Sequence, residues 1–244
     1  MRQYGLIGYP LTQSFSKTYF DTKFEREGLA DCRFDNFPLK VIQELPTLLN
    51  NNPQLRGLAV TIPHKQTVLS YLHESQLPEG LSACNCIRIR DGKLTGYNTD
   101  HLGFEKSFLP LLLPHHKKAL VLGNGGATAA VIYVLQKAGI EYDIVSRNIK
   151  PGSAYTYNDI TENLIRAYPI IINTTPLGMY PETETLPPIP YESITPSHLL
   201  YDLVYNPSLT RFLEKGALHG ATIINGKQML EIQAEENWRI WNQM

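Results

Sequence analysis

The sequence predicts an α/β protein with parallel strands, in two domains, and three observations carry that prediction. Short apolar runs alternate with helix-period segments along the whole chain, the pattern of strands joined by crossover helices. The run Ala119-Leu120-Val121-Leu122 is apolar at every position, as a strand buried on both faces must be. It leads straight into Gly123-Asn124-Gly125-Gly126 and then an alanine-rich helical segment, so the strand–turn–helix pattern restarts in the second half. The 244 residues suffice for two ordinary domains, and 43% hydrophobic with 18% charged residues is globular composition with material for a core.

In the first half, residues 4–8 predict a strand that Tyr9-Pro10 stops. Residues 17–28 predict a helix, because Tyr19, Phe20 and Phe24 recur at helical spacing and Gly28 suits a C-terminal cap. A strand over 33–39, a helix over 41–50 and a strand over 55–62 ending at Pro63 follow. Residues 64–73 read as a helix, and 83–90 and 93–97 as two strands around the turn Asp91-Gly92. A connecting helix over 101–113 places a domain junction near His101.

Beyond the strand 119–122 and the helix reaching Gly139, strands are expected at 142–146, 170–173, 199–204 and 222–225. A closing amphipathic helix covers 228–241. The proline-rich stretch 181–196 reads as a surface loop.

Lysine plus arginine number 22 and aspartate plus glutamate 23, with no basic block dense enough to follow a phosphate backbone, so no nucleic-acid partner is expected. Three cysteines without a Cys-x-x-Cys argue against a metal site or a disulfide framework and for reduced thiols. The chain meets the Tyr9-Pro10 turn too early for a signal peptide, and no apolar run is long enough to span a bilayer. A cytoplasmic protein with no membrane partner is the expectation.

The turn Gly123-x-Gly125-Gly126 between a strand and a helix suits a pyrophosphate, since glycine lets the backbone approach and the helix N-terminus presents free N–H groups. The third glycine position of the common fingerprint holds Thr128. About 20 residues further on, an NAD-binding unit places an acid for the ribose 2′-hydroxyl. Here the strand runs into Ser146-Arg147-Asn148, so a guanidinium stands where a 2′-phosphate would sit, which points to NADP. An ordinary solvated charge is the other reading of Arg147, and its position at the strand end makes that the weaker one.

The remaining motifs stand at ends of predicted strands in the first half, where open α/β sheets bind ligands. Ser14 and Ser16 lead into a helix and suit a carboxylate. Ser16 is also open to a plain N-cap reading. Lys65 follows Val60-Thr61-Ile62-Pro63-His64, and Asp100 follows Gly96-Tyr97-Asn98-Thr99. A lysine and an aspartate at neighbouring strand ends can deliver a proton to the alkoxide that forms when a ketone accepts hydride.

These motifs together resemble the shikimate dehydrogenase family over nearly the whole chain. Gly8-Tyr9-Pro10 with Ser14-x-Ser16 resembles the family's carboxylate-binding loop, and Val60-Thr61-Ile62-Pro63-His64-Lys65 the segment bearing its catalytic lysine. Ala83-Cys84-Asn85 and Gly96-Tyr97-Asn98-Thr99-Asp100 resemble those bearing the substrate-binding asparagine and the catalytic aspartate. Gly123-Asn124-Gly125-Gly126-Ala127-Thr128 and Ser146-Arg147-Asn148 match the NADP motifs, and the segments 173–179, Asp202-x-x-Tyr205-x-Pro207 and Gly226-x-x-Met229-Leu230-x-x-Gln233 continue the series. Four positions depart from the family pattern: Gln13, Lys17, Cys86 and Asn148.

The resemblance implies an N-terminal α/β substrate domain, residues 1–101, joined by the C-terminal helix 226–244. A Rossmann-like NADP-binding domain over 102–225 completes the chain, with the active site in the cleft between the two. It implies Lys65 and Asp100 as catalytic residues, and Ser14, Ser16, Thr61, Asn85, Tyr205 and Gln233 as substrate-binding. Gly123, Asn124, Gly125, Gly126, Ala127, Ser146, Arg147, Asn148, Thr174, Met179 and Gly226 would bind NADP, with no metal. The implied reaction is reversible NADPH-dependent reduction of 3-dehydroshikimate to shikimate, on the route to chorismate and the aromatic amino acids, by a monomer or homodimer. Two alternatives stand beside it: a quinate/shikimate dehydrogenase that also uses NAD, and a non-catalytic NADP- or shikimate-binding regulator.

Overall fold

The computed structural model describes residues 1–11, 14–149 and 151–243. The chain divides into two compact units, Met1–Leu102 with Glu231–Met244, and Gly103–Leu230. Gln13 and Met244, both named above, lie outside the described residues.

The first unit holds β1 (Arg2–Gly8), α1 (Phe15–Arg26), β2 (Cys32–Pro38), α2 (Leu45–Asn51), β3 (Leu55–Val60), α3 (His64–Thr67), β4 (Glu74–Ser75), β5 (Cys86–Arg90) and β6 (Lys93–Tyr97). The strands lie in the order β2-β1-β3-β5-β6-β4, with β1 parallel to both β2 and β3, and β5 antiparallel to β3 and β6. The β5–β6 hairpin turns at Asp91 (φ 48°) and Gly92 (φ 74°), the two left-handed residues that a tight hairpin turn needs. Ile7, Leu45, Leu58, Val68 and Ile87 pack one face of the sheet. The other face carries an aromatic cluster, with Phe20 stacked on Phe34 at 4.8 Å and Tyr4 on Trp241 at 5.1 Å between ring centroids.

The second unit begins inside α4 (Asp100–Phe108) and holds β7 (Lys118–Leu122), α5 (Thr128–Lys137), β8 (Glu141–Ser146), β9 (Tyr155–Thr156), α6 (Glu162–Ala167), β10 (Ile170–Asn173), β11 (Leu199–Asp202), α7 (Arg211–Leu218) and β12 (Thr222–Ile224). Its sheet runs β12-β11-β10-β7-β8-β9 and every pairing is parallel. That is the doubly wound dinucleotide-binding order, with the reversal of strand order at β7. Helix α8 (Lys227–Trp241) begins in the second unit and joins the first from Glu231 onward. There Ala234, Ile240 and Trp241 enter the aromatic cluster, and Glu235 accepts hydrogen bonds from Lys23 Nζ (2.9 Å) and the Tyr19 hydroxyl.

Several elements differ from expectation for local reasons. The helix expected over 64–73 is one α turn followed by a 3-10 turn, Val68–Tyr71. The Thr67 and Ser70 hydroxyls bond back to backbone carbonyls there, which competes with continued helix. The helix expected over 41–50 is a 3-10 turn, Ile42–Glu44, and then α2, which restarts with Pro46 in its first turn, where proline's missing N–H costs nothing. Pro110 stops α4 short of the expected residue 113. The stretch 181–196 is not a plain surface loop: Ile189, Tyr191 and Ile194 are buried against Leu200, Phe212 and Leu213. Among the described residues no helix is long and apolar enough to cross a membrane.

Candidate active site

In the first unit, Lys65 sits in α3, just past the carboxyl end of β3, and Asp100 opens α4 just after β6. Strands β3, β5 and β6 are neighbours, so both residues arrive at one end of the sheet. The Lys65 carbonyl accepts the Cys84 N–H at 2.7 Å, fixing α3 against the segment before β5. Lys65 Nζ donates to Asp100 Oδ2 at 2.6 Å, with the two side chains only 15% and 10% exposed.

A buried polar network surrounds this pair. Asn85 Nδ2 donates to Asp100 Oδ1 at 2.8 Å, and Asn85 Oδ1 accepts the Thr99 N–H at 2.6 Å. An ionised carboxylate only accepts, so Asp100 decides which way the Asn85 amide faces. Thr99 Oγ1 donates to Asn237 Oδ1 at 2.7 Å, and Gln233 Oε1 accepts from Asn237 Nδ2 at 3.3 Å and Asn85 Nδ2 at 3.4 Å. The network thus draws Gln233 of α8 to the strand ends. An ion pair kept from water with its other atoms hydrogen-bonded is the arrangement that offsets desolvation. It holds an ammonium donor at a fixed point beside a carboxylate.

Ser14 and Ser16 stand at the start of α1. Ser14, rather than Ser16, is the N-cap, its Oγ accepting the Lys17 N–H at 3.1 Å, while Ser16 lies half-buried within the first turn. Among the described residues, the network's hydrogen bonds do not extend to either serine. Thr61 follows β3, with its N–H on the Ile7 carbonyl at 2.9 Å. Tyr205 belongs to the second unit and is half-buried, its hydroxyl pKa raised by burial.

In the second unit, a cavity of about 370 Å³ opens at the carboxyl ends of β7, β8 and β10. Gly123 has φ 112°, and a Cβ there would meet Thr174 Oγ1 at 2.6 Å, so the turn requires glycine. Gly125 and Gly126 face open space. The Thr128 hydroxyl, at the third fingerprint position, accepts the Gly125 N–H at 3.0 Å and lies 2.9 Å from the Thr174 hydroxyl. Asn124 Nδ2 donates to Pro151 O and Ser153 Oγ, each at 3.2 Å. Ser146 Oγ donates to the Asn148 carbonyl at 2.5 Å, and Arg147 stands exposed on the cavity wall. Glycine backbone, the amino end of α5 and a guanidinium are the groups a dinucleotide with an extra phosphate needs, and they fit NADP. Of the expected cofactor residues, Gly126, Ala127, Met179 and Gly226 lie off this cavity's lining.

A model described as the shikimate dehydrogenase substrate-binding domain matches residues 6–87. A protein of Clostridium beijerinckii named shikimate dehydrogenase (NADP(+)) is 38% identical over 259 residues, covering 98% of this chain and 92% of its own. The chain belongs to the shikimate dehydrogenase family. Among solved structures, the Thermus thermophilus family member in complex with NADP(H) and shikimate superposes with a TM-score of 0.86 at 27% identity, over 100% of this chain and 94% of that one. A quinate dehydrogenase from Corynebacterium glutamicum in complex with NAD also matches, with a TM-score of 0.86 at 26% identity and coverage of 100% and 94%.

Some residues of these sites escaped the sequence reading. Asn237 lies four positions beyond Gln233, on the same helical face, and that spacing was a usable signal. Thr99 was visible only as part of its motif. Tyr157 lines the cavity with nothing in its residue type to mark it, whereas Thr175, Pro176 and Leu177 line it from within the segment 173–179 that the family resemblance had singled out.

Proposed function

We propose that the protein is a shikimate dehydrogenase that reduces 3-dehydroshikimate to shikimate with NADPH, reversibly. The observation that carries this reading is the Lys65–Asp100 pair at 2.6 Å, inside a network that includes Asn85 and Gln233, in a chain of this family.

NADPH, when bound, supplies the hydride. The chain's own residues do the rest. Lys65 Nζ stabilises the oxygen that gains charge at the reacting carbon and gives it a proton; Asp100 holds that ammonium in place and, with Asn85 and Gln233, receives ring hydroxyls. Ser14 and Ser16 take the ring carboxylate, with Thr61 and Tyr205 as further substrate contacts. Gly123, Gly125 and the amino end of α5 take the pyrophosphate. Arg147 takes the 2′-phosphate, and the absence of an acid at the end of β8 favours NADP over NAD. Residues 1–101 with the C-terminal helix form the substrate domain in this reading, and 102–225 the cofactor domain. Cysteines Cys32, Cys84 and Cys86 are free, which suits a reducing cytoplasm.

The test is an assay by nicotinamide absorbance with shikimate and quinate, each against NADP and NAD. Turnover with shikimate and NADP well above the other combinations is expected. Quinate with NAD as the better pair would replace this reading with quinate dehydrogenation, and binding of shikimate without turnover would make the protein a non-catalytic binder.

A further inference from the structure

We infer that Asp202 is a positioning residue of the cofactor site, its buried carboxylate setting, through Asn173 and Thr175, the shape of the loop that walls the cavity. The inference rests on the cofactor assignment above and deepens it.

Asp202 ends β11 and is fully buried. Its Oδ1 accepts from Asn173 Nδ2 at 2.9 Å and the Val204 N–H at 3.0 Å, and its Oδ2 accepts from Thr210 Oγ1 at 2.6 Å. A carboxylate has acceptors only, so Asn173 must turn its NH₂ toward Asp202 and its carbonyl away. That carbonyl accepts the Thr175 N–H at 3.0 Å and the Thr175 hydroxyl at 2.6 Å. The hydroxyl, spent as a donor there, accepts the Leu177 N–H at 3.2 Å. Donation therefore runs from the Leu177 N–H through Thr175 and Asn173 to Asp202, and Asn173 Nδ2 also reaches back to the Leu177 carbonyl at 3.4 Å, so the loop is closed on Asn173 with its NH₂ held toward Asp202.

Thr175 and Leu177 line the cavity. The second arm ties in the following loop, because Thr210 also caps α7 by accepting the Leu213 N–H at 3.3 Å. A neutral side chain at position 202 would avoid burying a charge, yet an amide there offers both a donor and an acceptor and lets Asn173 flip. A charge kept in the core at that cost is explained by the loop it orders.

The test compares wild type with Asp202→Asn and Thr175→Val, the latter in a half-buried loop position where folding is not at stake. In the free protein, amide hydrogen exchange at Thr175 and Leu177 should accelerate about tenfold or more in Asp202→Asn, the scale set by loss of a charge-assisted hydrogen bond. In Thr175→Val the Leu177 amide alone should respond. The amides of Ile170, Ile171 and Ile172 should stay protected in both, which separates loop release from general destabilisation. In kinetics, KM for NADP should rise about tenfold while kcat and KM for shikimate change little. Unchanged exchange at Thr175 and Leu177 in Asp202→Asn overturns the inference, as does faster exchange with an unaltered KM for NADP. If the wild type turns over no substrate with either cofactor, the functional reading fails on its own, and exchange together with NADP affinity by titration still decides the role of Asp202.

Discussion

Arg147 stands exposed at the end of β8 with Ser146 and Asn148 beside it, and no carboxylate occupies the place that would hold a free ribose 2′-hydroxyl. Arg147→Ala should therefore raise KM for NADP about tenfold or more and leave any use of NAD unchanged, as steady-state kinetics with both cofactors will show. Equal losses with both would assign Arg147 to the fold. The serine pair separates in the same way. Ser14 is the N-cap of α1, so Ser14→Ala should cost about 1 kcal/mol of stability in addition to any loss of affinity. Ser16→Ala should leave the melting temperature unchanged and weaken shikimate binding about tenfold, measured as Kd. An unchanged Kd for Ser16→Ala would remove it from the substrate site. Asp202 gives a pH signature. Burial pushes its carboxyl from 3.8 up to about 6, while its bonds to Thr210, Val204 and Asn173 pull the other way. A raised carboxyl favours the protonated fold, so this contribution is fully present below about pH 4 and is lost as pH rises through about 6, an effect of about 3 kcal/mol. Tyr191, which faces it, has its own pKa pushed far upward and stays neutral throughout. The stability of wild type relative to Asp202→Asn, from urea unfolding, should fall between pH 4 and 7; a flat difference would contradict the shift. Lys65 and Asp100 were legible in the sequence because each follows a predicted strand, and Asn85 only through the family resemblance. Thr175 and Leu177 were legible only as members of the segment 173–179, because their link to Asp202 spans 27 and 25 positions of the chain.

At the scale of elements, α8 is the one whose packing bears directly on the Lys65–Asp100 network. Its Trp241 stacks on Tyr4, and a Cβ at Gly57 would overlap the Trp241 indole, so β3 and α8 fit only with glycine at that position. Trp241→Ala should cost about 3–5 kcal/mol and lower Tm. Because the same helix carries Gln233 and Asn237 into the network, KM for shikimate should rise with it while KM for NADP does not. A variant of native stability would show that this end of α8 is not part of the core. The strand–helix alternation was legible because the apolar runs 119–122 and 170–172 stand out and because Tyr9-Pro10, Asp91-Gly92 and Gly123 punctuate the strands beside them. What was missed is short. Helix α6 has 6 residues, too few to display a period, and β9 has 2. Helix α7 hides its pattern behind Gly216, where a side chain would overlap Leu200, although Thr210 before it is a plain N-cap signal.

For the whole molecule, the two units divide the chemistry: a part-buried lysine–aspartate pair in one, a glycine-lined cavity with a guanidinium in the other. Neither arrangement accounts for a reduction alone, and the family relationship extends over both, with relatives matching 97–98% of the chain. The central claim is that Lys65 protonates the oxygen formed on reduction, a contribution made in the transition state and therefore read in kcat. The direct measurement is kcat for NADPH oxidation by 3-dehydroshikimate with wild type and Lys65→Ala, accompanied by the shikimate Kd of each. Turnover by the wild type, a loss of about 10²–10⁴-fold in the variant and a modest change in Kd are expected. A variant with near-wild-type kcat would contradict the account.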